Sequence, residues 1–299
     1  MGYLFLSSIF SSLVAILFKL GERRRADRIV VSTLNYIVGF SILLIEILIE
    51  KDTRIQGFHI SYALENLLKT IKTGGALNYE GSILWGVIVG FFAGISYFTA
   101  FVFYQKSIKE NGVGITGTVR SLNILIPMFL SMILWMEIPD SIQWIGIALS
   151  IASIVLLSYS KKKGERVKPS LLIFYILGGT SMFMNKLYQK FGDVSLRNVY
   201  LLVVFLVASL IGITFLTKRR IEKFEIALGF FVGISNLLQN SFLILSLSLL
   251  KSTVAFPIFG VVSILLINMA GKFVFSEEFG IKKILATGMA LASIILINL

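Results

Sequence analysis

One arginine, Arg120, lies inside an otherwise apolar run at residues 113–135. A guanidinium group in the hydrocarbon region of a membrane costs about 2.5–3.5 kcal/mol on insertion scales, so it is expected to face a cavity or a polar partner. Its planar set of N–H donors suits a carboxylate or a phosphate. The run therefore predicts a site for an anionic group at Arg120, and Asn123, on the same predicted helical face, is expected to share it. The alternative is that Arg120 extends to the nearer membrane surface.

Polar side chains follow two similar segments of the sequence. Tyr97 comes directly after GFFAGIS, and three amides follow GFFVGIS, namely Asn236, Gln239 and Asn240. Buried amides in a helical bundle either form hydrogen bonds between helices or contact a polar ligand. Both interpretations stand, and in the second these four residues contact the same solute as Arg120.

Two lysines occupy corresponding places near the ends of two apolar runs, Lys19 in FKL and Lys186 in NKL. They are candidates for lining the mouths of a cavity, although lysines at helix ends commonly extend to the membrane surface instead. Helix-interrupting residues lie in the fourth and ninth apolar runs, and matched interruptions in a repeat point to the binding site of a transporter. The alternative is that these residues only kink the two helices so that they pack against their neighbours. The predicted cavity-shaping residues are Gly117, Pro127, Pro257 and Gly260.

The sequence contains no candidate catalytic or metal-binding set. It has no cysteine and a single histidine, and no Ser/His/Asp combination or pair of carboxylates stands out. We therefore expect no enzyme activity, no metal and no cofactor. The formal net charge of +12 would suggest nucleic acid as the partner of a soluble chain. Here it reflects loop lysines and arginines beside an anionic membrane surface, so no nucleic-acid binding is expected.

Hydrophobic residues make up 56% of the chain, and the mean hydropathy is +0.88. Ten apolar runs are close to the roughly 20 residues that a helix needs to cross a bilayer. Such runs must be helical, since unpaired backbone groups cannot face lipid. The sequence therefore predicts an all-α integral membrane protein with ten transmembrane helices, a multi-pass protein of the plasma membrane.

The two halves of the chain resemble each other. GFFAGIS corresponds to GFFVGIS, and IGIALSIASIVLL corresponds to LATGMALASIILI at nearly the same offset. Because each half holds an odd number of helices, the second copy must enter the membrane inverted. We predict a five-helix repeat over residues 1–160, a basic linker at 161–170 and an inverted five-helix repeat over 171–299, around a central cavity. A helix lying on the membrane surface is predicted over residues 58–73.

The chain resembles the drug/metabolite transporter superfamily in its ten-helix, EamA-like form. The resemblance implies a basket of helices that carries a small solute by alternating access. It also implies termini in the cytoplasm, whereas the excess of lysine and arginine in loops after odd-numbered helices places both termini outside. The residues that carry the resemblance are Lys19, Arg28, Pro127, Glu137 and Gly146 in the first copy and Pro257, Glu277 and Gly288 in the second.

Together these features predict a secondary-type transporter that exports a small polar anionic or zwitterionic metabolite, such as an amino acid. The predicted partners are this small-molecule solute and the lipid bilayer, with the oligomeric state left open. One alternative is an exporter of cationic or aromatic drugs. Another, from a different class, is a membrane-embedded enzyme or scaffold.

Overall fold

The computed structural model describes residues 1–50, 59–73, 75–111, 113–158, 168–216, 219–276 and 280–298. Most of the predicted linker (161–167) and Glu277 lie outside these residues. The described part of the chain is almost wholly helical and contains no β-strand. A 3₁₀ turn at Val194–Leu196 precedes α9. The helices are α1 (Gly2–Arg23), α2 (Arg28–Glu50), α3 (Ile60–Thr73), α4 (Tyr79–Asn111), α5 (Val113–Leu122), α6 (Leu125–Trp135), α7 (Ser141–Ser158), α8 (Pro169–Phe191), α9 (Arg197–Thr214), α10 (Lys223–Leu247), α11 (Ser252–Phe273) and α12 (Ile281–Asn298).

Seven helices of the described chain are long and apolar enough to cross a membrane: α1, α2, α4, α8, α9 with its preceding turn, α10 and α11. Three further apolar segments are shorter, Val119–Trp135, Ser141–Leu156 and Ile284–Asn298. The prediction of an all-α chain with several membrane-spanning helices is confirmed. The count of ten transmembrane helices and the inversion of the second half stay predictions.

The fourth predicted helix is broken, which corrects the prediction that Arg120 and Asn123 share a regular helical face. Helix α5 ends at Leu122 and α6 begins at Leu125, with Asn123 in the turn between them. Proline has no N–H to donate to the carbonyl four residues before it, and its ring collides with that carbonyl. For Pro127 this is the carbonyl of Asn123, which instead accepts a 3.3 Å bond from the N–H three residues on. Pro127 therefore accounts for the break.

The chain folds into two compact units, each assembled from both halves of the sequence. Unit 1 comprises Met1–Ile16, Thr99–Phe183 and Leu249–Leu299, and unit 2 comprises Leu17–Phe98 and Met184–Ser248. In unit 1, α7 packs along α12, and α11 contacts α6, α7 and α12. In unit 2, α2 packs against both α9 and α10.

Glycines allow two pairs of helices in unit 2 to approach closely. A Cβ added at Gly233 of α10 would lie 2.8 Å from the carbonyl oxygen of Asn35 in α2. A Cβ added at Gly94 of α4 would lie 2.8 Å from the carbonyl oxygen of Val204 in α9. Both glycines belong to the repeated segments GFFAGIS and GFFVGIS. These segments are therefore packing motifs, in line with the small residues found where membrane helices meet.

Replacement of Gly233 by alanine is expected to reduce stability by about 1–3 kcal/mol, because the new methyl group forces α10 away from α2. The matched control is Gly288→Ala in α12, where an added Cβ meets no atom within 4 Å. Alanine has the higher helix propensity, so the control should be unchanged or slightly more stable. Unfolding in detergent, followed by circular dichroism, measures both variants. Equal stability of the two variants would contradict the close approach.

Helix α3 has the amphipathic pattern of a helix at a membrane surface. Its inner face is buried, as shown by Ala63 and Leu67. Lysines and a glutamate occupy another face. The link to α4 is short, so α3 lies close to the start of a long apolar helix. The location of α3 on the membrane surface stays a prediction. The exposed apolar ridge consists of Ile60, Leu64 and Leu68.

Candidate functional site

The predicted site residues fall in both units, and each unit is described by itself. Unit 1 holds the predicted anion site and the four cavity-shaping positions. Unit 2 holds the predicted polar contacts and the two lysines. The members in unit 1 are Arg120, Asn123, Gly117, Pro127, Pro257 and Gly260, and those in unit 2 are Lys19, Tyr97, Lys186, Asn236, Gln239 and Asn240.

Arg120 lies in the last turn of α5, and its side chain is exposed. Its guanidinium carbon is 5.4 Å from the centroid of the Tyr104 ring in α4. The Tyr104 ring packs in turn on Phe174 of α8, with the two centroids 5.1 Å apart. A guanidinium over an aromatic ring gains a cation–π attraction while keeping N–H donors at its edge. Within the described chain Arg120 has no ion-pair partner, so its charge is available to an anionic ligand.

Asn123 lies at the break between α5 and α6 and is only 4% exposed. Its backbone N–H donates to the Arg120 carbonyl at 3.3 Å. Its side-chain amide rests on Gly178 of α8, where an added Cβ would collide with Nδ2 and lie 3.0 Å from Cγ. The Oδ1 atom is buried and has no hydrogen-bond partner in the described structure. A buried acceptor without a partner destabilises the fold, which makes it a candidate for binding a donor on a ligand.

The four cavity-shaping positions differ in their structural roles. Gly117 lies within α5, and Pro127 breaks the helix in the middle of its run. Pro257 is buried inside α11, which remains helical through it. Helix α11 is therefore not broken as the fourth run is, although Pro257 removes one hydrogen bond near the helix start. The cavity-shaping role of Pro257 stays a prediction. Gly260 allows close packing on the break, since an added Cβ would lie 2.6 Å from Ile124 Cδ1.

Unit 2 contains a network of amide and phenol groups that joins four helices. The Tyr97 hydroxyl of α4 donates to Asn240 Oδ1 of α10 at 2.6 Å. Asn185 Nδ2 of α8 donates to the same oxygen at 2.8 Å and to the Tyr97 hydroxyl oxygen at 3.0 Å. The Tyr200 hydroxyl of α9 donates to Asn185 Oδ1 at 2.9 Å. The structure thus brings Tyr97 and Asn240 into direct contact, and their predicted contact with a solute stays a prediction.

The network continues into a fifth helix. Asn240 Nδ2 donates to the carbonyl and side-chain oxygens of Asn236 at 2.9 and 3.0 Å. Asn236 Nδ2 donates to Asn35 Oδ1 of α2 at 3.2 Å. Because these groups are bonded to one another, a solute can bind them only by exchanging existing hydrogen bonds. We call these six residues, Tyr97, Asn185, Tyr200, Asn240, Asn236 and Asn35, the amide network.

The remaining predicted contacts also lie in unit 2. Lys186 is only 3% exposed and directly follows Asn185 in α8. Lys19 in α1 and Gln239 in α10 are half-buried. Neither lysine ends its helix, since α1 and α8 each continue for about another turn. Lys186 therefore lies inside unit 2 rather than at a helix end.

Sequence reasoning missed part of both arrangements. Asn185 had a signal, since it directly precedes Lys186, and Asn35 is an isolated amide within an apolar run. Tyr104, Phe174 and Tyr200 had none, because aromatic residues are common in membrane helices and their neighbours on other helices cannot be read from one chain.

Acidic side chains of the described helices take part in structural contacts. Glu225 is buried at the start of α10, where its Oε1 accepts the Asp27 N–H at 2.6 Å. Glu46 Oε1 of α2 accepts from Asn198 Nδ2 at 2.9 Å. Within the described ranges there is no group of three or more His, Cys, Asp or Glu residues that could hold a metal ion.

The N-terminal part of the chain matches a known family. A family model described as the EamA-like transporter family matches residues 1–159, which is more than half of the chain. A solved structure titled "Crystal structure of protein" is similar over 98% of this chain and 94% of its own, with a TM-score of 0.69 and 12% sequence identity. This second likeness concerns the fold alone. No curated protein matches the chain.

Proposed function

The chain belongs to the EamA-like transporter family, and on that premise we propose that it moves a small anionic or zwitterionic metabolite, such as an amino acid, by alternating access. It is an integral, multi-pass membrane protein of the drug/metabolite transporter superfamily. The proposal includes export across the plasma membrane. It also includes ten transmembrane helices arranged as two inverted repeats, residues 1–160 and 171–299, joined by the basic linker at 161–170.

The observation that carries the proposal is the position of Arg120 beside a helix break. Helices α5 and α6 contain 10 and 11 residues, so about 15 Å of helix lies on each side of the break. If the two helices cross the membrane together, the break lies near the bilayer midplane. Substrate sites of repeat transporters occur at that depth and are commonly built from discontinuous helices. An arginine there, packed on Tyr104 and without a carboxylate partner in the described chain, favours an anionic group on the solute.

The amide network has a different proposed role. Its side chains are bonded to one another, so their removal affects helix packing before it affects a solute. We assign Tyr97, Asn236 and Asn240 first to positioning α2, α4, α8 and α10. Contact with a neutral polar part of the solute, by exchange of these bonds, stays part of the proposal, together with Gln239, Lys19 and Lys186.

Thermal unfolding of the purified protein with a panel of amino acids, organic acids, sugar phosphates and organic cations tests the proposal. We expect an amino acid or organic acid to raise the melting temperature of the unmodified protein. Arg120→Ala should weaken that binding by about 10- to 100-fold, since a charge-assisted hydrogen bond is lost. Arg120→Lys keeps the positive charge but lacks the planar guanidinium group. Its affinity for the solute should lie between that of the unmodified protein and that of Arg120→Ala.

The matched control is Arg220→Ala, which removes an exposed arginine from the link before α10. It should bind the same solutes as the unmodified protein. Stabilisation by organic cations alone, unchanged in Arg120→Ala, would contradict the proposal and favour the export of cationic or aromatic drugs.

A further inference from the structure

We propose that Asn123 Oδ1 accepts a hydrogen bond from the protonated amine of the transported solute. The site then selects zwitterionic compounds, of the amino acid type, over acids that lack the amine. This inference rests on the proposed function and names the chemistry by which the solute is recognised.

The first support is the unpaired state of the Asn123 amide oxygen. The residue is 4% exposed, and Oδ1 has no hydrogen-bond partner in the described structure. Most buried polar atoms in folded proteins have a partner. Other buried atoms of the described structure also lack one, but Asn123 Oδ1 lies at the helix break beside Arg120, which makes it the candidate for a ligand donor. A carbonyl oxygen carries partial negative charge, which excludes a carboxylate and suits an ammonium group.

The second support is that the surroundings fix this amide in place. Pro127 prevents a regular helix at Asn123. The backbone N–H of Asn123 is already bonded to the Arg120 carbonyl. On the other side the amide rests on Gly178, which has no side chain to displace it.

The third support is the set of aromatic residues that lies near both Arg120 and Asn123 within unit 1. Arg120 lies over the Tyr104 ring, and that ring packs on Phe174. Phe174 lies one turn before Gly178 on α8, and a Cβ at Gly178 would be 3.5 Å from the Phe174 ring. Arg120 therefore contacts one ring of this pair, and Gly178 lies between the other ring and the Asn123 amide. A guanidinium suits the carboxylate of an amino acid, an amide oxygen suits its ammonium group, and the rings suit an apolar side chain.

Three pairs of probes isolate the amine: L-alanine with propanoate, L-leucine with isocaproate, and L-phenylalanine with hydrocinnamate. Each pair shares a carbon skeleton and a carboxylate. We expect the unmodified protein to bind at least one amino acid about tenfold or more tightly than its deaminated partner, the difference given by one hydrogen bond to a charged group. Equilibrium binding by calorimetry in detergent measures the ratio.

Asn123→Leu should abolish this preference. Leucine has nearly the shape of asparagine, so the deaminated acid should bind as before and only the amino acid should lose affinity. Because the substitution also removes a buried, unpaired acceptor, the melting temperature without solute should be equal or higher. If Asn123 had only a structural role, Asn123→Leu would lower the melting temperature. The ratio of amino acid to deaminated acid affinity would then be unchanged.

Gly178→Ala is an independent variant, since its methyl group displaces the amide without altering Asn123 itself. It should reduce the preference in the same way, whereas Gly288→Ala, in open space on α12, should leave it intact. Binding of the three probe pairs and the melting temperature are measured both in sodium chloride and in potassium chloride. Stabilisation by sodium alone that is lost in Asn123→Leu would assign the oxygen to a metal cation and overturn the inference.

The remaining outcomes separate this inference from the proposed function. Equal binding of amino acids and deaminated acids, sensitive to Arg120→Ala, overturns the role of Asn123 and leaves the anion site in place. A preference for the amine that persists in Asn123→Leu also overturns it. If no carboxylate compound of either kind binds, both the inference and the proposed function fail.

Discussion

Pro127→Ala is expected to reduce transport by at least about tenfold while leaving the folded protein as stable as before or more so. Alanine supplies an N–H four residues after Asn123, so the Asn123 carbonyl can exchange its bond with Ile126 for a regular helical one. It also removes the proline ring that collides with this carbonyl, so α5 and α6 can join into one helix. Alanine is favoured over proline in a helix interior by about 3 kcal/mol, which offsets the loss of the buried proline ring. A continuous helix moves both Arg120 and Asn123 from their present positions.

Transport by this variant is measured in proteoliposomes with the solute that best stabilises the unmodified protein, and its melting temperature is measured in detergent. The control is Pro169→Ala, which replaces an exposed proline at the first residue of α8. Proline is well tolerated at that place, and its loss should not affect transport. Normal transport by Pro127→Ala would show that the break is only a packing feature.

Asn240→Leu is expected to destabilise the protein by about 2 kcal/mol, the largest loss of stability among these substitutions at polar residues. The side chain accepts from Tyr97 and Asn185 and donates to Asn236, so its removal leaves several buried groups unpaired. Hydrogen bonds between membrane helices average about 0.6 kcal/mol each, and an unpaired buried group costs about 1–3 kcal/mol. We expect transport to fall as well, because the helices of unit 2 lose their alignment.

The matched control is Asn268→Leu in α11. Among the described residues, that amide bonds only to the Ile264 carbonyl of its own helix, at 2.8 Å. This variant should stay within about 0.5 kcal/mol of the unmodified protein, as for substitutions that break no tertiary contact. Chemical unfolding in mixed micelles measures both. Similar stability of the two variants would indicate that the amide network holds nothing together and is free to bind solute.

The general architecture could be predicted from the sequence because lipid imposes a simple rule. In lipid, the backbone N–H and C=O groups of a long apolar run must bond to one another within the run. A run long enough to cross the bilayer therefore predicts a transmembrane helix. Helix starts were also predictable where a charged residue precedes an apolar run, as at Arg28, which opens α2. The break in the fourth helix was only partly predictable. Pro127 indicated a kink, but the sequence alone did not show that the kink would separate α5 from α6 at Asn123.

The arrangement of the site could not be predicted because it depends on which helices are neighbours. Asn185 and Asn240 are far apart in sequence and share a hydrogen bond only because α8 packs near α10. Likewise, nothing in the sequence around Gly178 indicates that it supports the Asn123 amide. Each unit draws on both halves of the chain, so many contacts within a unit join residues far apart in the sequence. A single sequence carries no information about such pairs.

Counterflow transport in proteoliposomes tests the central claim most directly. The unmodified protein, Arg120→Ala and Arg220→Ala are compared in the uptake of labelled amino acids, organic acids and organic cations. We predict that the unmodified protein and Arg220→Ala exchange an amino acid or another carboxylate compound, and that Arg120→Ala is slower by about tenfold or more. Uptake of organic cations alone, at the same rate in all three proteins, would contradict an anionic or zwitterionic solute and the role of Arg120.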